Sequence, residues 1–245
     1  PSPNSGFVAI AGGDAHSLGL KSDGTIVAWG LNSGGQCTVP SPNAGFVAVA
    51  GGQGHSLGLK SDGTIVAWGS NSYGQCTVPS PNAGFEGVAA GLYHSLGLKS
   101  DGTIVAWGRN SSGECNVPSP NTGFVAIDGG NGHSLGLKSD GTIVAWGINN
   151  YGQCNVPSPN SGFTAVAAGY GHSLGLAGTS EPLGACCWPG QGSSLSCTQT
   201  GLSACEAVGG SWRSGEPCLP DPCMLPPPCG GTKADATLRT GRNAE

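Results

Sequence analysis

Five histidines stand at positions 16, 55, 94, 133 and 172, each followed by serine and each 39 residues from the next. A set of imidazoles points to a metal centre, and a His-Ser pair to an activated hydroxyl. The spacing fits neither chemistry. Ligands must converge within about 2.1 Å of one ion, whereas residues one repeat apart belong to separate structural units. His16 and Ser17, as strand neighbours, point to opposite faces. The repeated pair is therefore read as satisfying backbone groups between units. Asp23, Asp62, Asp101 and Asp140 are lone carboxylates in turns, short of the roughly six to eight oxygens that calcium takes. No nucleophile elbow or metal motif is present, so the sequence implies no catalytic residue, no metal and no cofactor, and the chain is read as a non-enzyme.

The histidines belong to a longer repeated stretch. HSLGLKSDGTIVAWG runs from His16 to Gly30, recurs from His55, His94 and His133, and breaks off as HSLGLAG at His172. Repeats are read before any other feature. Phe7–Ala11 is an apolar run, Ser17–Leu20 alternates small with apolar residues, and Thr25–Trp29 is β-branched and aromatic, so each suits a half-buried strand. Asp23-Gly24 is expected at the centre of a tight two-residue hairpin. Gln36–Val39 is a weaker fourth strand, ended by Pro40. Four short strands in about 40 residues describe one propeller blade.

Composition agrees. The 245 residues include 46 Gly and 18 Pro, with 9% charged side chains, which describes short strands and turns. No window carries a helical apolar period through to a cap, so no helix is expected in the repeats. The net charge of -5 is spread thin, without the basic stripe that phosphate needs, so nucleic acid is excluded as a partner. No apolar run approaches the roughly 18 residues of a membrane helix. Eleven cysteines place the chain in an oxidising compartment, secreted or at the cell surface. The chain starts at Pro1 with its one methionine at Met224, which is read as a processed chain or a fragment.

Gly-x-x-His-Ser-Leu-Gly-Leu-Lys-Ser-Asp-Gly, then Val-Ala-Trp-Gly-x-Asn, then Gly-Gln resembles the repeat of the regulator of chromosome condensation family. The 39-residue period is similar to its short bacterial form, which includes propeller-type β-lactamase inhibitors. The resemblance covers residues 1–176 and implies an all-β propeller of seven blades. Units start at 1, 40, 79, 118 and 157, giving four full four-stranded blades and half a blade, an incomplete ring over residues 1–177. Its open ends would expose apolar faces and invite self-association. Guanine-nucleotide exchange, implied by eukaryotic members, and β-lactamase inhibition are both set aside.

Comparing the units with one another locates a candidate surface. KSDGT and VPSPN are uniform, whereas the first and third connections vary, and both emerge on one face of an up-and-down blade. The variable positions are Asp14, Gln53, Leu92, Tyr93, Asn131 and Tyr170 in the first connection, and Leu31, Tyr73, Arg109, Ile148 and Tyr151 in the third. Aromatic and Arg anchors among small polar residues suit an unidentified protein partner. Leu92, Tyr93, Arg109, Tyr151 and Tyr170 are the foremost candidates. A passive extracellular spacer is the alternative role. Trp29, Trp68, Trp107 and Trp146 are assigned to packing between blades. Cys37, Cys76, Cys115 and Cys154 are expected as buried free thiols.

After a linker at 178–185, Cys186, Cys187, Cys197, Cys205, Cys218, Cys223 and Cys229 crowd into a segment too small for a large core, so disulfides are expected to stabilise it. It resembles a small cysteine-rich module of secreted bacterial proteins. No connectivity follows from the spacing. One helical turn is expected at 203–208, and disorder over 230–245.

Overall fold

A computed structural model of the chain describes residues 4–178 and, by backbone alone, three strands between 184 and 214. The chain divides into two units, Pro1–Gly178 and Thr179–Glu245. In the first, four sheets of three strands succeed one another: β1 (Phe7–Gly12), β2 (His16–Lys21) and β3 (Ile26–Gly30); β4 (Phe46–Gly51), β5 (His55–Lys60) and β6 (Ile65–Gly69); β7 (Phe85–Ala90), β8 (His94–Lys99) and β9 (Ile104–Gly108); β10 (Phe124–Gly129), β11 (His133–Lys138) and β12 (Ile143–Gly147). A fifth sheet has two strands, β13 (Phe163–Ala168) and β14 (Ser173–Ala177). The architecture is all-β, of propeller blades set side by side, with no helix among the described residues. In the second unit, β15 (Gly184–Pro189) pairs antiparallel with both β16 (Leu195–Thr200) and β17 (Ser211–Ser214). Of the expected linker at 178–185, residues 184–185 instead open β15 and residues 179–183 lie outside the described residues, as do the cysteine side chains from Cys186 to Cys229, the helical turn at 203–208 and the tail at 230–245.

The middle strand of each three-stranded blade is the most buried, because it pairs on both edges and alternates Leu with Gly. Leu18, Leu57, Leu96 and Leu135 are fully enclosed. The cores lie between blades: Leu57, Leu59 and Ile65 of the second meet Phe85 and Trp107 of the third, and the same set recurs one unit on. Blade 1 has no blade before it among the described residues, and Trp29 is 39% exposed there, whereas Trp68, Trp107 and Trp146 are 6% exposed. At the other end Leu174 and Leu176 of β14 are exposed.

The hairpin differs by one residue from the expectation. Gly24 N donates to Lys21 O at 3.0 Å and Lys21 N to Thr25 O at 2.8 Å, so Ser22-Asp23 is the turn centre and Gly24, at φ 78°, follows in the left-handed region. This is the three-residue loop with a glycine bulge. Asp23 Oδ1 accepts from Thr25 N and Oγ1, which holds its carboxyl below the usual range.

The fourth strand is absent, and each blade has three. Asn32 Oδ1 accepts from Cys37 N at 2.8 Å and fixes 32–37 as a turn. Asn43 then does what a strand would: its Oδ1 accepts from Ile26 N and its Nδ2 donates to Ile26 O, both at 2.8 Å. Asn82, Asn121 and Asn160 repeat this on Ile65, Ile104 and Ile143. One side-chain amide substitutes for a peptide group at the outer edge, and the chain is freed to run to the next blade. Asn82→Ala leaves both groups of the buried Ile65 without a protein partner. It is expected to lower stability by about 1–3 kcal/mol, read as a shift in the urea midpoint.

Candidate functional site

The histidines and serines meet across blade boundaries. His16 Nε2 lies 2.9 Å from Ser56 Oγ, His55 Nε2 3.0 Å from Ser95 Oγ, His94 Nε2 2.9 Å from Ser134 Oγ and His133 Nε2 3.1 Å from Ser173 Oγ. Each serine hydroxyl donates its single proton to a backbone carbonyl of the preceding unit: Gln36, Gln75, Glu114 and Gln153. The imidazole must then donate through Nε2–H, which leaves Nδ1 bare. Nδ1 of His16, His55, His94 and His133 is buried without a partner. The first three of those carbonyls also accept the indole N–H of Trp68, Trp107 and Trp146 at 2.8–2.9 Å.

This polarity is opposite to that of a nucleophile and its base, and Ser56, Ser95 and Ser134 are fully buried. The cluster is a structural joint. Burial holds the His55 imidazole down to about 4, helped by the neighbouring His16, and His94 down to about 3. Sequence spacing placed equivalent histidines on separate blades, which holds, yet it missed that the first four each reach the serine of the next.

Backbone bonds Leu31 N to Ala15 O, Ser70 N to Gly54 O, Arg109 N to Tyr93 O and Ile148 N to Gly132 O bring the first connection and the segment after the third strand together in every full blade. The KSDGT turns bond instead to the links, as in Phe46 N to Gly24 O. The variable positions therefore share one end of the blades.

They fall into separate groups there. Asp14, Gln53, Leu92, Asn131 and Tyr170 line a depression of 260 Å³ where the inner strands converge, floored by glycine pairs such as Gly51-Gly52. Leu92 N donates to Gly130 O and Gln53 N to Leu92 O, so this rim is stitched by backbone from blade to blade. Farther out, Tyr73 of blade 2 and Tyr93 of blade 3 hold ring centroids 5.1 Å apart at 56°. The Arg109 guanidinium lies 5.5 Å from the Tyr93 centroid and 6.0 Å from that of Tyr73. Its Nε donates to Ser111 Oγ at 2.7 Å and sits 3.8 Å from Glu114 Oε1. Glu114 is buried, occupies the place of Gln36, Gln75 and Gln153, and accepts from Ser112 N. Leu31, Ile148 and Tyr151 lie apart from this cluster. Ile148 covers Gly132 and Tyr151 covers Gly171, where the third blade carries Tyr93.

Below the depression, a second cavity of 350 Å³ is walled by glycine, alanine and branched aliphatic residues of the inner strands and by Asp128. Asp128 replaces the alanine of the other units, and its carboxylate accepts from Gly129 N at 2.9 Å and Ala168 N at 2.7 Å. No group of three or more His, Cys, Asp or Glu with metal-binding geometry occurs among the described residues. Cys37, Cys76, Cys115 and Cys154 are free, and they are partly exposed rather than buried, because the turn that carries them faces outward. Each Sγ donates to a carbonyl six residues earlier, at 3.1–3.3 Å. Burial pushes the Cys76 thiol up to about 11 and that of Cys115 to about 12, with Glu114 adding to the latter, so neither is an activated nucleophile.

The fold matches solved structures of propellers. Prp20p from Saccharomyces cerevisiae superposes with a TM-score of 0.61 at 20% identity, over 71% of this chain and 57% of that one. The ectodomain of the Physcomitrella patens receptor kinase CR4 gives 0.60 at 24%, over 81% and 53%. The CRINKLY WD40 ectodomain of the Arabidopsis thaliana receptor kinase ACR4 gives 0.57 at 22%, over 82% and 67%. This chain thus spans little more than half the length of the first two. At these identities the likeness shows the fold alone. No curated protein sequence matches the chain. Residues 7–36, 46–75, 85–114 and 124–153 each match the regulator of chromosome condensation (RCC1) repeat, and through these four repeats the chain belongs to that family.

Proposed function

We propose that the chain is a protein-interaction module that works outside the cell and captures its partner on the variable end of the blades, without catalysis. The observation that carries this is the Tyr73–Tyr93–Arg109 cluster. It draws on two blades, it is built where the repeats depart most from one another, and Tyr73 is exposed. Tyrosine and arginine are the side chains that dominate binding energy at protein interfaces. The guanidinium is held through Nε while its two terminal nitrogens keep their donors for a partner. Prp20p, which shares the fold, is described with its binding to Gsp1p and histones and in complex with Kap60, and this supports a protein partner. Cysteine usage supports the extracellular setting.

The test immobilises the chain, captures a partner from culture fluid and measures its affinity for variants. Tyr73→Ala, Tyr93→Ala and Arg109→Ala are each expected to weaken binding at least tenfold, as truncated anchors do. Leu31→Ala, at the same end of blade 1, is expected to change it less than about twofold. Unaltered affinity in all three cluster variants would remove the assignment.

A further inference from the structure

The junction between blades 4 and 5 contains a cavity of 330 Å³, lined among others by Ile143, Gln153, Val156, Phe163, Ser173 and Gly175. Each of these has a counterpart one unit earlier. At the junction of blades 1 and 2, Ile26, Val39 and Phe46 surround the indole of Trp68, whose N–H reaches Gln36 O beside the Ser56 hydroxyl. Trp107 and Trp146 fill the next two junctions in the same way. At the fourth, Leu135, Leu137, Ile143, Val156, Phe163 and Val166 assemble the same walls, and no tryptophan enters among the described residues. Gln153 O there receives the Ser173 hydroxyl at 2.7 Å and keeps its second lone pair.

The strand that supplies the indole elsewhere is the third of each blade. In blades 1 to 4 the middle strand pairs on both edges, whereas among the described residues β14 pairs with β13 only. Its outer edge is a template for an added strand. We propose that this edge and cavity together form a binding site for an extended segment of a partner polypeptide that carries tryptophan in the pattern Ile-Val-Ala-Trp-Gly. The register is set by the complete blades. In blade 4, Trp146 stands opposite Ser134, Gly147 opposite His133 and Ile143 opposite Leu137. The incoming tryptophan therefore lies opposite Ser173, its glycine opposite His172 and its isoleucine opposite Leu176. The glycine is part of the recognition. At Gly147, φ is 104° and a Cβ would lie 2.5 Å from Gly132 O. A side chain larger than hydrogen is excluded there.

This site is distinct from the Tyr73–Tyr93–Arg109 surface, and the two stand or fall separately. The probe is a labelled peptide, Lys-Lys-Gly-Thr-Ile-Val-Ala-Trp-Gly, titrated into the full chain and followed by fluorescence anisotropy, with hydrogen exchange of the Ser173–Ala177 amides in parallel. Saturable one-to-one binding with slowed exchange in β14 is expected. The peptide with Trp→Ala should bind at least tenfold more weakly, and the peptide with its terminal Gly→Ala should also lose affinity. Val156→Trp in the chain, which fills the cavity from within, should weaken binding of the parent peptide. Absence of saturable binding, equal affinity of the Trp→Ala peptide, or protection elsewhere than β14 would overturn the proposal.

Discussion

Replacing Trp107 with alanine is expected to lower the stability of the propeller by about 3–5 kcal/mol, and the same replacement at Trp29 by no more than about 1 kcal/mol. Both residues stand fourth in the same pentapeptide, Ile-Val-Ala-Trp-Gly, so propensity and backbone conformation are shared and the difference isolates the junction. Trp107 is 6% exposed among Leu57, Leu59, Ile65 and Phe85, and its N–H meets Gln75 O at 2.8 Å. Its removal opens a cavity between two blades and takes one of two donors from that carbonyl. Trp29 meets no preceding blade among the described residues and stands 39% in solvent. Urea midpoints of the two variants give the comparison directly, and equal shifts would mean that the indole does not hold the junction.

Acid is expected to loosen the same junctions well before it protonates the carboxylates. Unfolded histidine takes up a proton near pH 6.5, whereas burial delays this in the folded chain to about 4 at His55 and about 3 at His94. Between those limits the unfolded state binds more protons. The contribution of these two residues is therefore complete above pH 6.5 and is lost as pH falls toward 4 and then 3. At pH 5 the loss is about 2 kcal/mol for each. His16 and His133 are lowered in the same direction by burial. The turn aspartates Asp23, Asp62, Asp101 and Asp140 are held below 3.8, so their loss begins under pH 4. Asp128, raised by burial, works the other way from 3.8 upward. Urea unfolding at pH 7.5 and pH 5.0 measures the sum. His94→Gln keeps a donor toward Ser134 without a titrating ring, so its loss between the two pH values should be smaller by about 2 kcal/mol. Stability that does not change over this range would contradict the bare, buried Nδ1.

The repeat period announced the propeller, and Val-Ala-Trp-Gly and Ser-Leu-Gly-Leu announced two of its strands, because alternation of side chains survives in a short buried strand. Gln36–Val39 misled for a local reason. Its Thr-Val pair has strand propensity, but propensity does not show that Asn32 ties the segment into a turn, nor that Asn43 presents an amide to Ile26 in place of a fourth strand. A side chain imitating backbone leaves no periodicity. The His-Ser joint was hidden by scale. Its partners are 40 residues apart, one more than the repeat, so the neighbouring Ser17 drew attention away from Ser56. At the variable end, the loop comparison named the residues, but it could not tell that Tyr73 and Tyr93 touch across a blade boundary while Ile148 and Tyr151 each cover a glycine.

The joint also bears on how such a chain changes its length over generations. Every complete junction takes a histidine and a carbonyl from one unit and a serine and an indole from the next, with no group particular to its place in the series. A copy of 39 residues gained or lost in register leaves each surviving junction chemically whole. Blade number is then free to drift by unequal exchange between near-identical stretches of the gene, while the loops at the variable end diverge copy by copy.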